Sequence, residues 1–168
     1  MNKHRIVAID PGTRELGVAV LEGMDLIYYA VKTVRDRTTA QAILQQVANL
    51  AIDVIVKFEP EVLAIEKMFV VQKSAALLSV AAEEIKSVAR SSGLTVYEYA
   101  PKSIRKFICQ NGSATKRDVA QVIAHRYPEL TRHLKTRNKW DEKYYANIFD
   151  AVAVGLMYRS EMINSKAA

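Results

Sequence analysis

Three acidic residues stand where an acid is costly. Asp10 ends the apolar run RIVAID, Glu66 ends EVLAIE, and Asp150 lies between Ile148-Phe149 and Ala151-Val152. The first two runs read as buried strands and the third as a helix. A carboxylate in such surroundings is seldom there for packing. If the two strands are parallel neighbours, Asp10 and Glu66 face each other at the edge where open α/β sheets place their sites. Carboxylates brought together repel: at ~4 Å and an effective dielectric near ~20, a pair costs on the order of 4 kcal/mol. A divalent cation reverses that sign. Oxygen ligands with no Cys or His cluster beside them point to Mg²⁺ or Mn²⁺. Two such ions ~4 Å apart can activate a water and stabilise the leaving oxygen of a phosphodiester. Each acid alone also has a plainer role. Asp10 before Pro11-Gly12 suits an Asx turn, Glu66 suits a helix cap or an ion pair, and Asp150 suits a bond to nearby backbone.

The elements that must position these acids follow from the pattern. Residues 5–10, 15–22 and 26–34 read as three strands with short turns, an antiparallel meander. Thr38 or Thr39 caps a helix whose apolar stripe is Ile43, Val47, Leu50, Val54 and Phe58, ended by Pro60. A strand at 61–66, an Ala-rich helix at 73–92 and a strand at 94–100 come next. Pro101 opens a short helix through Cys109. Ser113 or Thr115 caps a helix to Tyr127. Residues 129–143, polar and basic, read as a loop, and YYANIFDAVAVGLMYRSEM closes as a helix. The expected fold is α/β: a mixed five-stranded sheet, three strands antiparallel and then parallel, flanked by helices in a single domain over residues 1–168.

Charge narrows the partner. Residues 102–143 hold eleven Lys/Arg against four Asp/Glu, while the rest hold thirteen against fourteen. The whole excess therefore sits in one quarter of the chain, as a polyanion-binding surface requires. Cys109 is the only cysteine, which excludes an internal disulfide and a cysteine-rich zinc site and fits a reducing cytosol. No apolar run approaches ~18 residues and no signal segment opens the chain, so a soluble, cytoplasmic protein with no membrane partner is expected.

The segments AIDPGTRELGVAV, LAIEKMFV, VYEYAPKSIRKFICQNGSATKRDVAQ and NIFDAVAVG resemble, in order and spacing, the successive motifs of RuvC-type Holliday junction resolvases. The resemblance implies an RNase H-like fold, a homodimer and Mg²⁺-dependent nicking of two opposed strands of a four-way DNA junction in recombination and repair. It allows a branch-migration helicase as a further partner, and a nucleoid location if the source is bacterial. By position, Asp10, Glu66 and Asp150 match the family's metal-binding acids. Phe69 matches an aromatic that enters the junction and stacks on bases. Lys116 and Arg105 match basic residues that grip the backbone, with Lys73, Lys102 and Arg117 as further DNA-binding candidates.

One position departs. The family usually carries a fourth acid three residues before the last, and here Asn147 stands there. Positions 147, 150 and 154 share a helical stripe, so Asn147 is expected to face the site, with a neutral oxygen in place of a charge. Natural divergence, an alteration that traps uncut DNA and a protein that binds without cutting remain open. Asp141 and Glu142 could replace the missing acid only on an irregular local path. A nuclease for other branched DNA is the second reading, and a junction binder impaired in cutting the third. The Ala-rich helix, through Ala75, Ala76, Ser79, Ala82 and Lys86, is the expected dimer face.

Overall fold

The computed structural model describes residues 4–69, 75–135 and 138–167. Five strands form one sheet in the order β3-β2-β1-β4-β5. They are β1 (Arg5–Asp10), β2 (Glu15–Glu22), β3 (Asp25–Thr33), β4 (Val62–Glu66) and β5 (Thr95–Tyr99). β1–β2 and β2–β3 pair antiparallel, whereas β1–β4 and β4–β5 pair parallel. The expected mixed sheet is what forms.

Side-chain alternation divides the sheet between two cores. Val7, Ile9, Val18, Val20, Leu63 and Ile65 meet α1 (Ala40–Phe58) and α2 (Ala76–Ser91). Ile6, Ala8, Ala19, Leu21, Val62 and Ala64 face α5 (Lys139–Ala167), with α3 (Pro101–Cys109) and α4 (Lys116–Arg126) beyond it. Three of these six are alanines, so α5 lies close to the sheet. Gly155 extends that fit: a Cβ there would stand 2.4 Å from Leu21 Cδ1.

Local chemistry sets the helix ends. Thr39 caps α1, its hydroxyl accepting from the Ala42 N–H at 3.0 Å. Thr115 caps α4 in a reciprocal box with Asp118, which places Lys116 at the first helical position.

Two expectations need correction. The segment 129–143 is largely helical: a 3-10 helix spans Pro128–His133, and α5 begins at Lys139. Asn138 Oδ1 accepts from the N–H groups of Trp140 and Asp141, each at 2.9 Å. That first turn is charged and exposed, so it carries no apolar period to read. On α2, Ala82 and Lys86 are buried within this chain and offer no dimer face. Ala82 packs in the α1–α2 core, and Lys86 is ion-paired with Glu83 and, at 3.0 Å, with Glu98. Ala76 is exposed, and Ala75 and Ser79 are half-buried. Among the described residues no helix is long and apolar enough to cross a membrane.

Candidate active site

Register brings the first two acids together. Ile9 pairs with Ile65 in the parallel β1–β4 ladder, so Asp10 and Glu66, one residue on, end adjacent strands at the same edge. Both continue the face made by Ala8 and Ala64, which is the face α5 covers. Asp150 comes from α5, and its charge acts on both: its repulsion raises the carboxyl pKa of Asp10 and of Glu66.

The electrostatics are those of crowded, poorly hydrated acids. Asp10 is 8% exposed. Burial first, then the charges of Asp150 and Glu66, push its carboxyl well above the usual range. Burial and then Asp150 push Glu66 up to about 7, against the opposing pull of Lys116 and Arg105. The offsetting cation is Lys116, whose Nζ donates to Asp150 Oδ2 at 2.5 Å. Burial would lower the Lys116 pKa, but the attraction and hydrogen bond of Asp150, followed by the charges of Asp10 and Glu66, raise it overall. Glu66, Arg105, Lys116 and Asp150 line one cavity of about 240 Å³.

Among the described residues no group of three or more His, Cys, Asp or Glu is arranged to hold a metal ion as the side chains lie. The donor chemistry nevertheless fits a hard divalent cation. All the donors are oxygens, they repel one another, and two of the three carboxyls are driven toward the neutral form by burial and then by their acidic neighbours.

The other candidates are distributed around this centre. Arg105 lines the cavity, with its Nε donating to the Pro101 carbonyl at 3.3 Å. Arg117 lines an adjoining cavity of about 330 Å³ between α4 and α5 that shares Lys116. Lys102 is exposed on α3 and passes over Gly112. Phe69 is 55% exposed just past β4, with the Lys67 ammonium 5.6 Å from its ring centre. Lys73 lies outside the described residues. The Asn147 amide Nδ2 donates to the Tyr144 carbonyl at 3.0 Å and, more weakly, to that of Lys143 at 3.4 Å. Asp141 and Glu142 sit in the first turn of α5, ~12–14 Å along the axis from Asp150. They do not substitute for a fourth acid.

The profile of the family described as crossover junction endodeoxyribonuclease RuvC matches residues 6–157. The chain belongs to the RuvC family. The RuvC of Akkermansia muciniphila is 32% identical over 129 residues, covering 71% of this chain and 75% of that one. The Thermus thermophilus RuvC structure superposes with a TM-score of 0.73 at 23% identity, covering 95% of this chain and 96% of that one. A structure of T. thermophilus RuvC in complex with a Holliday junction substrate gives 0.70 at 22% identity, covering 92% and 91%. These two establish the shared RuvC fold.

One residue that shapes this RuvC site was not singled out from sequence. Gly17 pairs with Asp10 across β1–β2, and a Cβ there would lie 1.8 Å from the Asn147 carbonyl oxygen. A glycine inside the strand run ELGVAV is the signal that could have found it, since strand glycines mark close backbone approach.

Proposed function

We propose that residues 1–168 form one nuclease domain that nicks two opposed strands of a four-way DNA junction. The domain acts in the cytoplasm, at the nucleoid if the cell is bacterial. The observation that carries this reading is the register of Ile9 with Ile65, which sets Asp10 and Glu66 side by side while α5 delivers Asp150 to the same edge. Asp10, Glu66 and Asp150 would hold divalent cations, Mg²⁺ or Mn²⁺ and two per site, with Asn147 offering at most a neutral oxygen. Such ions supply Lewis-acid stabilisation of a phosphodiester and a nucleophile at neutral pH.

The remaining work falls to this chain's own groups. Lys116 and Arg105 bring positive charge to the cavity where a phosphate would sit, Lys102 and Arg117 extend it along the backbone, and Lys73 is a further DNA-binding candidate from the sequence alone. Phe69, exposed rather than packed in the core, offers its ring to an unstacked base. Two copies related by a twofold axis match two equivalent strands. Exposed Ile52, Val56 and Val80 on the α1–α2 layer supply apolar surface for that homodimer. A branch-migration helicase is the further partner that belongs to this reading.

The test is a labelled synthetic four-way junction incubated with Mg²⁺ or Mn²⁺. Paired symmetric nicks that disappear in Asp10→Asn, while junction binding persists, are expected. Cleavage spread over flaps and forks would favour a general branched-DNA nuclease. A gel shift without products, in both the Asn147 protein and Asn147→Asp, would mark a junction binder.

A further inference from the structure

Trp140 is the chain's only tryptophan, and it is 64% exposed. Its ring is not loose on the surface. It lies nearly flat on Tyr144, with centroids 5.1 Å apart and planes 17° apart. Tyr144 meets Tyr145 edge-on at 5.3 Å, and Tyr145 packs on His133 at 4.6 Å. His133 in turn lines the 330 Å³ cavity that shares Lys116 with the acid-bearing cleft. A continuous aromatic path therefore runs from the cavity wall to one large ring that is backed on one face and open on the other.

Position and charge indicate what covers that open face. Trp140 precedes Asp150 by ten residues on the same helix, ~15 Å along its axis. At ~100° per residue, Trp140 falls within ~20° of Asn147 and ~80° around the helix from Asp150. Stacked nucleotides advance ~3.4 Å each along a strand, so a strand cut at the acids would bring a base to Trp140 about four nucleotides away. The cavity walled by His133 at the far end of this aromatic path is also lined by Lys116, Arg117 and Lys135, with Glu142 the one acid among them. Residues 132–143 carry five Lys/Arg against two acids. Positive charge beside a flat, pre-stacked ring is how proteins hold single-stranded nucleic acid.

We infer that Trp140, supported by Tyr144, is a second base-stacking platform, separate from Phe69, which receives an unpaired nucleobase of the strand that runs from the acids along α5. This inference rests on the junction-binding reading above. It assigns the start of α5 to holding an arm of the junction open beside the cut.

The single tryptophan makes the test direct. The full chain is titrated in EDTA with a four-way junction and with plain duplex, following Trp fluorescence and, separately, anisotropy of labelled DNA. The expected result is fluorescence quenching on binding the junction, lost when abasic sites replace the bases about four nucleotides from the cut. Trp140→Ala should weaken junction binding about tenfold and duplex binding far less, and Trp140→Phe should restore most of the loss. Junction binding by anisotropy with unchanged fluorescence, or with equal affinity for Trp140→Ala, would overturn the platform while leaving the junction reading intact. Fluorescence that changes with protein concentration alone, and no further with DNA, would assign Trp140 to contact between copies and also overturn it. No junction preference by anisotropy in any form would instead remove the reading on which the inference rests.

Discussion

A Cβ on Gly17 would stand 1.8 Å from the backbone carbonyl oxygen of Asn147, so α5 rests on β2 with no side chain between them. Gly17 is also the cross-strand partner of Asp10. The same close approach that packs the helix thus sets the distance from Asp150 to the sheet-edge acids. Gly17→Ala is expected to cost at least ~2 kcal/mol, because the obstacle is backbone and cannot rotate away. Urea unfolding measures this. An unchanged midpoint with an unchanged slope would show that α5 can lift without penalty.

The raised carboxyl of Glu66 predicts how stability follows pH. Its value is about 7 in the folded chain against 4.5 as an ordinary Glu. Between those values the folded state binds more protons than the unfolded state, so stability falls as pH rises from about 4.5 through about 7. The gap corresponds to on the order of 3 kcal/mol, and Asp10, raised for the same reasons, acts in the same direction. In EDTA the melting temperature should decline over this window, and millimolar Mg²⁺ should flatten the decline. Glu66→Gln should be more stable than the parent above pH 7 without metal. A parent whose melting temperature rises over the window would contradict the crowding of these acids.

Asn147 uses its amide N–H groups on the carbonyls of Tyr144 and Lys143. An Asp at this position cannot donate and would be repelled by those oxygens, which turns its carboxylate away from its own helix. Asn147→Asp is therefore expected to cut junctions substantially faster, as a fourth charge tightens the hold on cations. Folding should change little, because the two side chains are nearly isosteric. Single-turnover cleavage across a Mg²⁺ titration decides it. Equal rates at low Mg²⁺ would remove position 147 from the site.

Phe69 projects beyond β4 with over half its surface in water, so its removal leaves no core cavity. Phe69→Ala should lower junction affinity by ~1–3 kcal/mol, the worth of one stacked base, with little effect on duplex binding or melting temperature. Equal losses on both DNAs, or a large drop in melting temperature, would make it a fold residue.

The sequence by itself determined the sheet and its chemistry. Strand runs ending in Asp10 and Glu66, a meander before them and helices between later strands left one simple arrangement, and the observed order β3-β2-β1-β4-β5 has that form. Those signals are local, because alternation and turn residues act over a few positions. Only the tertiary structure decided three other matters. The pairing of Lys116 with Asp150 spans 34 residues and depends on the Thr115 cap that aims α4. The burial of Ala82 and Lys86 depends on how α2 meets α1 and β5, since an alanine stripe reads alike whether it faces a partner chain or its own core. The start of α5 at Lys139 depends on an Asn138 cap and an aromatic run over exposed charges, which carry no apolar period. Each is a contact between segments distant in sequence or a turn without a buried face, and neither leaves a periodic trace along the chain.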